Sequence, residues 1–139
     1  MQNYIDILRQ QNYELVKELG LFKRRAGLSF SQRHILYHIE NKAGLSIQEL
    51  SDFLQVEHST MSRNIKKLVQ SGLVDIYQDE KDKRRKIITL SPEGEARLAE
   101  ATASINQTLS KVLDVLENEE IETVISGLHT YCEALKGNS

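Results

Sequence analysis

Cysteine is nearly missing from this chain: Cys132 stands alone among 139 residues. That excludes an internal disulfide and a thiolate zinc cluster. Tryptophan is absent and only five Tyr and three Phe occur, which argues against a carbohydrate-stacking or aromatic-cage binder. One proline and seven glycines, with 40% hydrophobic residues, suit a folded, helix-rich protein rather than a disordered one. No apolar run approaches the roughly 20 residues that a membrane helix requires. The opening stretch, MQNYIDILRQQNYELVKEL, has no apolar centre long enough for a signal peptide. A cytoplasmic chain with no membrane partner is therefore expected, forming one domain or a small domain with appended helices. Glycine-rich phosphate loops, nucleophile motifs and dense carboxylate pairs are also lacking. Neither an enzyme nor a cofactor is expected.

The charge that is present is segregated. The net charge is −2. Residues 57–90 nevertheless hold eight Lys and Arg against five Asp and Glu, whereas residues 91–139 hold three against nine. Five cations crowd into Lys81–Lys86. A polyanion would meet the middle of the chain and be repelled by its end.

Apolar spacing gives the elements. Ile5, Leu8, Leu15, Val16 and Leu19 predict a helix over 4–19. After "GLSFSQ", Ser31 starts a helix over 31–41 carrying Ile35, Leu36 and Ile39. In "AGLSIQEL", Ser46 and Glu49 form a reciprocal capping box, stapled by Leu45 and Leu50, for a short helix over 47–54. A turn follows, then a helix over 57–71 with Met61, Ile65, Leu68 and Val69 on one face, ending at Gly72. Its other face shows Ser59, Thr60, Arg63, Lys66, Lys67 and Gln70, with no carboxylate. Such a face suits a DNA groove; it would also suit plain solvation. "LVDIYQ" (73–78) and "KIITL" (86–90) predict a hairpin whose seven-residue polar tip should project and be mobile. Ser91 caps a long helix with Pro92 in its first turn, and Asn118 starts a last one with Ile121, Ile125, Leu128 and Leu135. The expected fold is mainly α: two helices, a helix-turn-helix, a β-hairpin wing and two more helices. Residues 1–30 and 92–139 flank a winged unit at 31–91.

The string "IQELSDFLQVEHSTMSRNIKKLVQSGLVDIYQDEKDKRRKIITLSPEG" resembles the MarR family of bacterial transcriptional regulators. The matching residues are Ser59, Thr60, Ser62, Arg63, Leu68, Gly72, Leu73, Val74, Asp82, Arg84, Leu90, Ser91 and Gly94. Ser91 replaces the usual Thr, and Glu57 stands where a small hydroxyl or Asn is common. A carboxylate there either caps the helix or accepts from a cytosine amino group. The resemblance implies a homodimer on double-stranded DNA, made through both chain ends, acting as a ligand-responsive repressor at a pseudo-palindromic operator. On that reading Ser59, Thr60 and Arg63 lie at base edges, Ser62, Lys66 and Lys67 hold phosphates, and Glu57 and His58 join the DNA-binding set at the start of the helix. Arg84, oriented by Asp82, enters the minor groove, and Lys81, Lys83, Arg85 and Lys86 attract the backbone. If roughly four cations per subunit meet phosphates, log affinity falls with log salt at a slope near −7 for a dimer. Tyr13, Phe22, Arg25, Phe30, His34 and Tyr37 are candidates for an effector pocket.

Two alternatives stay open from sequence: a winged-helix module that binds protein without DNA, and a zinc-sensing regulator. His34 and His38 have metal-compatible i, i+4 spacing, with His129 elsewhere, but no dense ligand set accompanies them, so no metal is expected. Cys132, between Tyr131 and Leu135, reads as a small buried hydrophobe.

Overall fold

Each apolar stripe of the sequence becomes a helix in the computed structural model, which describes residues 2–137. In chain order these are α1 (Gln2–Leu19), α2 (Phe30–Asn41), α3 (Ile47–Leu54) and α4 (His58–Gln70). The hairpin β1 (Val74–Gln78) and β2 (Lys86–Leu90) follows, then α5 (Pro92–Val115) and α6 (Asn118–Lys136). The fold is mainly α with one two-stranded antiparallel sheet, as expected. Two compact units are formed, residues 1–102 and residues 103–139.

The core lies in the first unit. Ile35, Leu36 and Ile39 of α2 meet Leu45, Leu50, Met61, Ile65 and Leu68 of the helix-turn-helix. Val74 and Ile88 of the hairpin and Leu98 and Ala101 of α5 close it. The second unit offers no such core: α6 has no buried side chain, and Val124, Ile125, Leu128 and Leu135 are all exposed. Cys132 is exposed as well, against expectation.

Two helix caps differ from the sequence reading, while α6 begins at Asn118 as expected. α2 is capped by Ser29, not Ser31: Ser29 Oγ accepts from the Gln32 N–H, and the Gln32 side chain accepts from the Ser29 N–H. The box spacing Ser29–Gln32 outweighs the nearer serine. At α3 only half of the Ser46–Glu49 box forms. Ser46 Oγ accepts from the Glu49 N–H, but the Ser46 backbone forms an isolated bridge with Ile87 of β2. The Glu49 carboxylate is thereby released for other partners. At α6 the N-cap is Glu117, whose N–H donates to the Glu120 carboxylate at 2.9 Å.

A tight joint holds the hairpin base. Gly72, at φ +74°, ends α4 in a left-handed cap in which Gly72 N–H reaches Val69 O and Leu73 N–H reaches Leu68 O. Ser91 N–H donates to Leu73 O, and Ser91 Oγ donates to Gly72 O while accepting from the Gly94 N–H. Gly94 has to lack a side chain: a Cβ there would lie 1.9 Å from Leu73 O. A backbone atom cannot swing aside. Gly94→Ala should therefore cost at least the roughly 1–3 kcal/mol of an over-packed site, read as a lower urea midpoint; an unchanged midpoint would show that the joint is looser than its geometry.

Candidate nucleic-acid interface

Two elements carry the cations, and the core decides how each faces solvent. On α4, Met61, Ile65 and Leu68 are buried to within 1% of full enclosure. The helix can present only its opposite side, where His58, Ser59, Arg63, Lys66, Lys67 and Gln70 are exposed and Thr60 and Ser62 are half-buried. Arg63 Nη2 donates to Thr60 Oγ1 at 3.3 Å, which pre-orders that pair on the helix surface. Glu57 takes the N-cap position without a side-chain cap bond, so its carboxylate stays exposed at the positive end of α4. Of the two roles open to Glu57 from sequence, capping is not the one it plays. α3 meets α4 through Gln55 in the left-handed region (φ 56°), with the Val56 N–H on Ser51 O.

The wing pairs Val74 with Leu90 through Gln78 with Lys86. Its tip is not the loose excursion that seven residues and no glycine suggest. Asp79 N–H donates to Arg85 O and Arg85 N–H to Asp82 O, both at 2.9 Å. Asp79 Oδ1 accepts from the Lys81 N–H, and Gln78 Nε2 donates to Lys83 O. Short aspartates therefore do the turning work that glycine would otherwise do. Asp82 Oδ1 accepts from both the backbone N–H (3.1 Å) and Nε (3.3 Å) of Arg84, the orientation expected of this pair. The Arg84 side chain is 92% exposed. Lys81, Lys83 and Lys86 are exposed too.

Arg85 departs from its expected role. It turns inward, and its donors are taken within the chain: Nε and Nη2 by Glu49 Oε1, Nη1 by Asp79 Oδ2 at 3.1 Å, and Nη2 also by Gly44 O at 2.8 Å. A guanidinium so occupied has few donors left for a phosphate. Sequence reasoning missed Glu49 and Asp79 as its partners. The signal was available for Asp79, because continuing the strand register by one step sets it opposite Arg85 as an opposite-charge pair.

Both carboxylates are shifted below their ordinary range. For Glu49 the Arg85 hydrogen bond is the main cause; for Asp79 it is the Lys81 backbone N–H, followed by Arg85. The same bonds raise Arg85 further above its ordinary value.

The pocket candidates are only partly gathered. Phe30, His34 and Tyr37 share a face of α2, with Phe30 stacked on His34 at 5.5 Å. The row continues through His38, edge-on to His34 at 4.6 Å, to Phe53 at 5.1 Å. Burial lowers the pKa of both histidines, and for His38 the His34 charge adds to it. Tyr13 on α1 and Phe22 in the turn after it are highly exposed, and among the described residues no ring contact joins them to that row. Arg25 is half-buried in a backbone bridge with Leu28. Nearby, buried Arg33 donates from Nη1 to Lys23 O and Leu28 O, and burial lowers its pKa. Among the described residues no group of three or more His, Cys, Asp or Glu is placed to hold a metal. No helix among them is long and apolar enough to cross a membrane.

This architecture has known counterparts. A model of the MarR family matches residues 26–85. The HTH-type transcriptional regulator TcaR of Staphylococcus aureus is 31% identical over 130 residues, covering 89% of this chain and 85% of TcaR. The chain belongs to the MarR family. It is a winged-helix, DNA-binding transcriptional regulator. Solved MarR-type folds agree in shape. FabT of Streptococcus pneumoniae, in complex with DNA, is 20% identical and superposes with a TM-score of 0.79 over 99% of both chains. MarR of Staphylococcus aureus, with salicylate and kanamycin, is 18% identical with a TM-score of 0.81 over 99% of this chain and 93% of its own. At that identity these two speak for the fold alone.

A depressed carboxylate contributes stability that is complete above its unfolded pKa and disappears as pH falls through the folded one. In this MarR-family chain the wing tie should therefore be whole above about pH 4.3 and release only below the ordinary Glu and Asp values of about 4.3 and 3.9. An NMR titration of the carboxyl carbons should place Glu49 and Asp79 below those values; ordinary midpoints would contradict the ion pairs.

Proposed function

We propose that two copies of the chain grip a pseudo-palindromic operator, each placing α4 in the major groove and the Arg84 tip of its wing in the flanking minor groove. The observation that carries this reading is the exposed, carboxylate-free face of α4 beside a wing that holds Arg84 out by Asp82. Ser59, Thr60 and Arg63 are assigned to base edges, with Glu57 and His58 at the entry of the helix, where the Glu57 carboxylate suits a cytosine amino group. Ser62, Lys66 and Lys67 are assigned to phosphates, as are Lys81, Lys83 and Lys86. In this scheme residues 31–91 form the DNA-binding segment, and residues 1–30 and 92–139 serve dimerisation. Large apolar side chains stay uncovered on α1 (Ile5, Leu8, Leu15) and α6 (Ile125, Leu128, Leu135). A helix that buries nothing in its own chain gains little from propensity alone, so a second copy is the natural cover. Half-sites then lie about one helical turn, roughly 10 bp, apart.

The regulator acts as a repressor in the cytoplasm, performs no catalysis, and responds to a small anionic or phenolic effector. The aromatic row Phe30, His34 and Tyr37 is its proposed contact surface, with Arg25 supplying charge and Tyr13 and Phe22 closing it from the α1 side. Occupancy would change half-site spacing and so select against the DNA-competent dimer.

Replacing Arg63 and Arg84 together by Ala should weaken duplex binding at least a hundredfold, at about 1–3 kcal/mol for each base-reading arginine. For the parent protein, five phosphate-facing lysines per subunit should make log affinity fall with log salt at a slope of about −9 for a dimer. Unchanged affinity in the double variant, or a flat salt response, would remove the assignment. Salicylate, titrated against the free protein, should shift the ring resonances of His34 and Tyr37 and weaken duplex binding. Shifts elsewhere only would displace the proposed pocket.

A further inference from the structure

The two-stranded wing is attached to the body along most of its ladder, up to one pair short of the tip. The Ile88 N–H donates to Leu45 O, and Ile87 pairs with Ser46. Beyond that point only the Gln78–Lys86 pair and the tip, residues 79–85, would be free to swing, and Arg84 lies in that tip. Arg85 removes that freedom. Its planar fork reaches three separate places at once: Gly44 O before α3, the Glu49 carboxylate in the first turn of α3, and the Asp79 carboxylate on the opposite stem of the hairpin. Lysine could not do this, because a single ammonium lacks the fork that matches carboxylates side by side. Glu49 is held in turn by the Ser46 hydroxyl at 3.1 Å, so the anchor itself is fixed. Exposed ion pairs add little to global stability. Fixing an orientation one residue away from Arg84 is what this cluster is built to do.

We infer that Glu49, Arg85 and Asp79 form a positioning clamp that sets the angle of the wing, and thereby the reach of Arg84 into DNA. The inference rests on the wing touching DNA. It makes Arg85 a positioning residue, and it makes two acidic residues on a DNA-binding unit favourable for binding an anion.

The sign of one substitution separates this from simple charge attraction. Glu49→Gln removes a negative charge close to the duplex. Electrostatics alone then predicts tighter binding; the clamp predicts binding weaker by about tenfold. The probe is a duplex recovered by the parent protein from a random-sequence pool, titrated at one fixed salt concentration. Arg85→Gln should lose about as much as Glu49→Gln, and the double variant should be little worse than either, since both break one device. Arg85→Lys keeps the charge and loses the fork, so it should also weaken binding. In Glu49→Gln, amide exchange at Asp79 and Arg85 should quicken while the amides of Met61, Ile65 and Leu68 stay protected. Asp79→Asn repeats the test from the other side of the wing.

Tighter or unchanged binding by Glu49→Gln, multiplying losses in the double variant, or exchange that quickens through the core as well would overturn the clamp. Arg84→Ala distinguishes that failure from failure of the underlying reading. If it weakens binding while Glu49→Gln does not, the clamp alone falls. If Arg84→Ala changes nothing, the wing does not engage DNA and both readings fall.

Discussion

Burial of one stripe of α4 orients everything else. Met61, Ile65 and Leu68 are withdrawn from water, and each such side chain contributes roughly 1.5–3 kcal/mol when fully enclosed. Rotating the helix by a quarter turn would expose them and bury Arg63 or Lys66 without partners, which is far more costly. The apolar residues thus choose which face of α4 is shown to solvent, the face proposed to meet DNA. Overall charge is −2, yet residues 57–90 carry a cationic excess because the net negative charge falls in residues 91–139.

A second constraint fixes the wing to that helix. The left-handed cap at Gly72, the Ser91 hydroxyl between Gly72 O and the Gly94 N–H, and the close passage of Gly94 over Leu73 O leave the first strand one direction of departure. The motif residues of this family thus divide into two kinds. Gly72, Ser91 and Gly94 are needed by backbone geometry, while Arg63, Asp82 and Arg84 lie on the surface, where the proposed DNA contacts are made.

Most of the fold was legible from periodicity alone, since every helix and both strands follow apolar spacing that tertiary packing had no reason to override. The misreadings arose where a polar residue had competing partners. Ser29 took the cap assigned to Ser31 because Gln32 completes a box with it. Glu49 left its box because Ser46 has its backbone engaged with Ile87. Arg85, one of five crowded cations, looked like its neighbours; only a register extended by one step, and a contact 36 residues away in sequence, reveal its inward turn. Cys132 and the apolar face of α6 are exposed, and periodicity does not say whether a stripe meets its own chain or another.

Methylation protection of a bound duplex tests the central claim most directly, because dimethyl sulfate marks guanine N7 in the major groove and adenine N3 in the minor groove. With α4 and the Arg84 tip placed as described, guanines should be shielded in two clusters about one helical turn apart. Shielded adenines should flank each cluster on its outer side. Shielding confined to one groove, or to a single unpaired patch, would contradict the account.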